Sequence, residues 1–437
     1  MDYKILIVGT VPYNEKSTSR AFDSYFHFYD KKKLAQIFSN TKKPEKGHCE
    51  QLFQITDQRM LKRWFNKNIE TGRLYYYNEL LSIGDENNLN KSNIFIKKLY
   101  EIGSKKNSFI YLMRGVLWKK KYWCTEKLNK WLDNFKPDCV FLAFSDDFFI
   151  LKIGLYVAKK YDIPIISCIG DDYYFNYQKK CSPLYNVYKI LYRKIVRDVF
   201  NHQGSSIYIG DKIRDKYNKE FNLKGETVYL SSSIKRKDFK PIDKKNLKIS
   251  YFGNIRIGRN KSLNDIGFAI SKINKNYILD IFSDEEQAEF YAIFKNNLNI
   301  RFHGSISYSE VQKRILDSDI VIVVEGFDKV DVNISRYSLS TKVADSLASG
   351  TNVLAYGSIE CGAIEYAKQV GCVTVCTKKE DLIDNINRLI NDVEYQYKNY
   401  KKAIEVIRRN HTLEKSTQIF KNIVYREINN YRRKNAE

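Results

Sequence analysis

Proline is scarce in this chain, six in 437 residues, and glycine stands at only 20. That excludes collagen-like and loop-rich architectures and points to long regular elements. Histidine numbers five, and the eight cysteines, scattered from Cys49 to Cys376, contain no CxxC pair. The closest two, Cys372 and Cys376, have no clustered histidine beside them. No metal site is therefore expected, and the cysteines read as free thiols of a reducing compartment. Long apolar runs are missing too: none reaches the ~18 residues that a membrane-spanning helix needs. The opening MDYKILIVGT is too short an apolar run for a signal peptide, so a cytoplasmic or membrane-surface protein is expected. Acidic residues are in deficit, 51 Asp and Glu against 74 Lys and Arg, a net charge of +23. Such an excess implies an anionic partner: nucleic acid, a phospholipid surface or phosphorylated small molecules. Nucleic acid is disfavoured, because no zinc-finger spacing, RNP-like strand or basic-zipper pattern occurs and the basic residues are spread along the chain.

What is present suits two domains. The apolar fraction of 43% supplies ample core, and the length exceeds one ordinary core. Residues 3–8 form a nearly continuous apolar strand ending at Gly9, as a buried parallel strand does. Residues 138–144, 163–169, 206–209 and 227–230 read as further strands, with helical pattern between. The stretch 235–248, KRKDFKPIDKKNLK, is polar and basic, contains Pro241 and reads as a linker. The pattern then restarts, with strands expected at 249–252, 277–282, 300–302, 320–324, 353–356 and 373–376. Two doubly wound α/β domains follow: 1–234, then 249–410, with helical residues 411–437 beyond. In such sheets ligands bind past the carboxyl ends of the strands.

The loops at those ends carry the candidates. GTVPYNEKSTSR, Gly9 to Arg20, has one glycine but not GxGxxG, which argues against a dinucleotide site. Thr10, Ser19 and Arg20 there are candidate acceptor contacts. GDDYYFNY places Asp171 and Asp172 after one strand, and Asp146 follows another; carboxylates so placed can bind sugar hydroxyls or act near a reacting centre. YFGNIRIGRNKSL, from Tyr251, offers Gly253, Asn254, Arg256, Arg259 and Lys261 at a strand-to-helix turn, a way to present amides and cations to a phosphate. ILDSDIVIVVEG, residues 315–326, carries Glu325 just after its apolar run, a candidate donor contact. RYSLSTKVADSLASG, residues 336–350, reads as a loop and one amphipathic helix started by Ser340 or Thr341 and stopped at Gly350. Lys342 in the first turn opposes the helix dipole unless an anion sits in front of it. Asp345, one turn in, is expected to face the cleft and take a ribose diol.

These segments resemble the nucleotide-sugar-dependent glycosyltransferases of the GT-B fold, most closely glycosyltransferase family 4. YFGNIRIGRNKSL is similar to the family's diphosphate loop, FHGSISYSEVQKRILDSDIVIVV to the segment before its donor loop, and STKVADSLASGTNVLA to a variant found in transferases that build bacterial surface polysaccharides such as capsule. The resemblance implies two Rossmann-like domains facing across a cleft, with the final helices crossing back to the first. It implies metal-independent, configuration-retaining transfer from a nucleoside-diphosphate sugar. Arg259 and Lys261 would hold the diphosphate, assisted by Lys342 and the amides near Thr341. Asp345 would contact ribose, and Asp171 would stand near the family's His-Asp pair, with Gly170 at the His position. The first acid of the family's Glu-x7-Glu motif is replaced by Tyr337, and its proline by Asn352. A sugar-nucleotide epimerase or an inactive sugar-nucleotide-binding module of the same fold are the alternatives.

Two stretches of the first domain stand apart. Residues 109–123, FIYLMRGVLWKKKYW, mix two tryptophans with three consecutive lysines, and residues 179–197 carry six basic residues and no acidic one. Basic, aromatic, amphipathic segments suit an anionic membrane surface. The expected acceptor is a lipid-linked saccharide met at the inner face of the cell membrane.

Overall fold

The computed structural model describes residues 3–13, 24–41, 43–80, 108–175, 182–202 and 204–435. Their strands form two sheets. The first contains β1 (Ile5–Val8), β2 (Leu34–Phe38), β3 (Gln51–Ile55), β4 (Gly72–Tyr76), β5 (Cys139–Ala143), β6 (Ile165–Ile169), β7 (Gly204–Tyr208) and β8 (Glu226–Thr227), in the order β4-β3-β2-β1-β5-β6-β7-β8. The second contains β9 (Lys248–Phe252), β10 (Ile278–Phe282), β11 (Ile300–Gly304), β12 (Ile320–Val324), β13 (Asn352–Tyr356) and β14 (Thr374–Cys376), in the order β11-β10-β9-β12-β13-β14. Every pairing is parallel except that of β3 with β4. In each sheet the order reverses beside the first strand of the unit. β1 lies between β2 and β5, and β9 between β10 and β12, so each has a crevice at its carboxyl end.

Alternation along the strands divides the first core in two. Leu6, Val8 and Leu142 face one side with Trp118, Trp131, Tyr188 and Tyr192. Ile5, Ile7, Phe141 and Ile166 face the other. The helices used below are α1 (Ser108–Leu117), α2 (Phe148–Tyr161), α3 (Pro183–Asn201), α4 (Arg259–Ile273), α5 (Thr341–Ser349), α6 (Val393–Asn410) and α7 (Leu413–Lys434). Ser182 caps α3 through Tyr185 N at 3.2 Å, with Pro183 preset at the first helical position. The expected return of the final helix occurs: Phe420, Ile423, Val424 and Ile428 of α7 fill the second face of the first sheet. Phe420 stacks on Tyr25 with centroids 5.4 Å apart.

All six strands of the second sheet fall within one or two residues of the sequence expectation. Three strands of the first, β2, β3 and β4, are additions. Gln36 and Gln54 interrupt the apolar runs of β2 and β3, yet both are buried and satisfied. Gln36 Nε2 donates to the Thr10 carbonyl and hydroxyl at 2.9 and 2.8 Å. Gln54 Nε2 donates to the Asn40 carbonyl, and its oxygen accepts from Tyr75 Oη at 3.0 Å. The basic stretch after β8 is tied down along the second domain. Arg236 donates to the Leu347 carbonyl at 2.6 Å and Lys237 to those of Leu316 and Ser318 at 3.0 and 2.5 Å, meeting helix carboxyl ends with positive charge.

Candidate functional site

The second sheet builds its site at the β9/β12 crevice. β9 is followed by Gly253, whose φ of 120° suits glycine. A β-carbon there would lie 2.3 Å from Lys342 Cε, so the lysine side chain runs directly over this backbone. The chain turns back through Asn254, whose Oδ1 accepts from Arg256 N at 2.7 Å. It then enters α4 through two consecutive left-handed residues, Ile257 at φ 60° and Gly258 at φ 72°.

Arg259 opens α4 and forks onto Glu325, with both N–O distances 3.0 Å. Glu325 follows β12 and is 2% exposed. Burial pushes its carboxyl up, and the positive charges of Arg259 and then Lys342 oppose that rise. Lys342 Nζ donates to Tyr251 Oη at 3.0 Å and sits 4.7 Å from that ring's centre. Tyr251 Oη in turn donates to the Asn254 carbonyl at 2.5 Å. Two cations, one buried carboxylate and a bare glycine backbone thus converge in front of α5. Ser340 starts α5 in extended conformation without a side-chain cap, and Lys342 in the first turn brings the start of the helix beside this crevice.

Three expectations for this half are corrected. Lys261 does not converge with Arg259; its Nζ lies 2.7 Å from Asp328 in an exposed pair, and Lys342 takes the place beside Arg259. Arg256 turns to Glu285, at 2.5 and 2.8 Å, beyond β10. Asp345 does not face the cleft. It is 1% exposed and accepts from Ser232 Oγ at 2.7 Å and Tyr308 Oη at 3.3 Å, tying α5 to the chain that enters this domain. The reason is that residues 343–349 are all buried, so α5 has no free face one turn in.

Across the cleft, Asp171 follows β6. Its Oδ1 accepts from Ser338 Oγ at 2.6 Å, so a first-domain carboxylate meets the loop that leads into α5. Asp172 is turned inward instead. Its Oδ1 accepts from the Tyr174 and Phe175 amides at 3.1 and 2.9 Å and from Tyr217 Oη at 2.9 Å. Burial raises its carboxyl. Its expected acceptor contact gives way to holding the turn. Asp146 accepts from Tyr111 Oη at 2.5 Å, and Asp147 pairs with Arg114. Burial pushes the Asp147 carboxyl up to about 6. Thr10 is engaged by Gln36, as above, and Ser19 and Arg20 lie outside the described residues.

Tyr337, at the missing acid, packs against the first-domain core and borders a 170 Å³ space between the domains with Asp211, Lys212 and Glu365. A groove of about 420 Å³ lies elsewhere, at the β4 edge beside Lys127 and Trp131. The sequence reading missed Tyr251, Ser338 and Glu285. Only Tyr251 carried a signal, an aromatic hydroxyl two residues before the strand-ending glycine.

No protein-family profile matches the chain, and no curated protein sequence does. Its shape has solved counterparts. HepE of Anabaena in complex with UDP-glucose superposes with a TM-score of 0.59 at 10% identity, over 97% of this chain and 99% of HepE. A glycosyltransferase from Rickettsia africae superposes at 0.52 and 15% identity, over 97% and 99%. A TarM variant of S. aureus, in complex with Fondaparinux, alpha-GlcNAc-glycerol and UDP, matches at 0.52 and 14% identity over 68% of this chain, which spans 57% of TarM. The architecture is the GT-B fold.

Proposed function

We propose that the protein transfers a sugar from a nucleoside-diphosphate sugar to a hydroxyl of a saccharide acceptor, as a metal-independent glycosyltransferase of the family 4 kind. The observation that carries this reading is the convergence of Arg259, Lys342, the Gly253 backbone and the α5 start at the crevice of the second sheet. A departing diphosphate gains negative charge as the glycosidic bond breaks. Cations and amides already in place stabilise that charge without reorganisation. Glu325 positions the Arg259 guanidinium and compensates its charge. In this reading Asp171, which accepts from Ser338 across the cleft, orients the acceptor or the donor sugar. Transfer with retention through an oxocarbenium-like state then depends mainly on holding the two substrates together. HepE and TarM were both crystallised with UDP, so a UDP-sugar is the first donor to try. The acceptor we propose is a lipid-linked saccharide of cell-surface polysaccharide assembly, met at the inner membrane face.

The test is thermal stabilisation by UDP, GDP and ADP, with CMP as control, for the wild type, Arg259→Ala and Lys342→Ala. One diphosphate should raise the wild-type melting temperature, and both variants should lose at least ten-fold in its affinity. A wild type that none of them stabilises overturns the reading. Release of the nucleotide on adding a saccharide acceptor to the donor then separates a transferase from a binding module.

A further inference from the structure

Helices α1 and α3 lie side by side on the first domain, with the rings of Tyr111 and Tyr188 stacked between them at 4.9 Å. Their inner faces hold the cleft loops. Tyr111 and Arg114 of α1 reach Asp146 and Asp147. On α3, Tyr188 Oη donates to the Asp146 carbonyl at 2.7 Å. Lys189 Nζ donates to the Tyr173 carbonyl at 2.6 Å, and Arg193 to that of Tyr174 at 3.2 Å. The loops after β5 and β6 are therefore held by these two helices.

Among the described residues, their outer faces are apolar and exposed. Phe109, Met113 and Val116 fall at i, i+4 and i+7 on α1, and Val187, Ile190 and Leu191 share one arc of α3. Ile190 is 67% exposed and Phe109 54%. Isolated exposed apolar residues are ordinary, but two adjoining helical stripes are a patch. The rim is cationic: Lys119, Lys120 and Lys121 follow α1, Lys194 lies on α3, and all four are exposed. Residues 108–125 and 182–197 contain no aspartate or glutamate. Among the described residues no helix is long and apolar enough to cross a membrane.

We propose that α1 and α3 form a bilayer-docking surface, in which this apolar face enters the headgroup–acyl boundary of an anionic leaflet and the lysines meet its phosphates. An apolar face rimmed by cations, without acids, complements an anionic lipid surface better than it does a second copy of this basic chain. The proposal deepens the transferase reading by naming the surface that presents the acceptor side. The helices that touch lipid are the ones that hold the Asp146 and Asp171–Phe175 loops, so docking sets those loops one helix diameter, about 10 Å, from the bilayer.

The experiment is sedimentation of the full chain with phosphatidylglycerol-containing vesicles and with pure phosphatidylcholine vesicles at low and high salt. The variants are Met113→Glu/Ile190→Glu and the milder Phe109→Gln/Leu191→Gln, each checked for an unchanged melting temperature. Wild type should sediment with the anionic vesicles at low salt, and each folded double variant should bind at least ten-fold more weakly. Stabilisation by UDP should be the same in all three proteins. A wild type that stays in solution, variants that bind as tightly, or a patch that instead drives dimer formation in analytical ultracentrifugation overturns the docking surface. Loss of vesicle binding in the variants with no UDP stabilisation in any protein keeps docking and removes the transferase reading.

Discussion

Arg259 and Glu325 are coupled beyond their individual contacts. Replacing Arg259 alone leaves a buried carboxylate with only Lys342 to oppose its burial. Arg259→Met should therefore destabilise the protein by about 3 kcal/mol. The double variant Arg259→Met/Glu325→Met should recover most of that stability while remaining unable to bind a diphosphate. Denaturant titration and nucleotide binding on the same samples separate the two effects, and a double variant as unstable as the single would show that the pair does not act as a unit. His411 gives a second test. It is 2% exposed, bonded to Tyr366 Oη at 2.7 Å and to the Leu230 carbonyl at 2.8 Å. Burial lowers its imidazole from 6.5 to about 4. Between those values the unfolded chain binds the proton and the folded one does not, so stability rises with pH across that window. Below pH 4 the full cost, about 3 kcal/mol, applies. Asp147, raised from 3.8 to about 6 by burial, slopes the opposite way over its own window and flattens the wild-type profile. The difference in stability between wild type and His411→Gln, followed from pH 7 to pH 4, isolates the histidine. It should shrink steadily as pH falls.

At the scale of elements, α7 joins the first sheet from the far end of the chain. Phe420 is fully buried against Tyr25, Phe26 and Phe141. Phe420→Ala should cost about 3–5 kcal/mol, and the loss should appear in the first domain, as faster amide exchange in β1 and β5. Elements also show what the sequence made legible. The second sheet could be read almost strand by strand, because strands such as Ile320–Val324 are buried on both faces and spell continuous apolar runs. β2 and β3 hid behind Gln36 and Gln54, whose partners are remote in sequence. The cation site was legible in composition but not in membership. Lys342 stood out as a charge opposed to its helix dipole, and the structure places it over Gly253 against Tyr251. Lys261 and Asp345 were misplaced because a helix pattern fixes neither how far round the burial extends nor which cation turns inward. No local pattern marks the Asp171–Ser338 contact, which joins the two halves.

At the scale of the molecule, a net charge of +23 sits on a chain whose candidate site accounts for only a few of its cations. The remainder makes any association with an anionic surface steeply salt-dependent. The proposed transfer needs no divalent ion if Arg259 and Lys342 supply the charge that offsets the diphosphate. Nucleotide-sugar turnover should be unchanged by EDTA, and a loss restored by Mg²⁺ would overturn that expectation. The return of α7 to the first sheet has one more consequence, which concerns the order of synthesis. The face formed by Ile5, Ile7, Phe141 and Ile166, which Tyr25 and Phe26 cover early, lacks Phe420, Ile423, Val424 and Ile428 until residues 413–434 have left the ribosome. At about 5–20 residues per second the strands of the first sheet wait roughly 10–40 s after β8 has emerged. During that time the part of the first core that this helix covers is open to solvent, and the nascent chain is a client for whatever shields apolar surface in the cell.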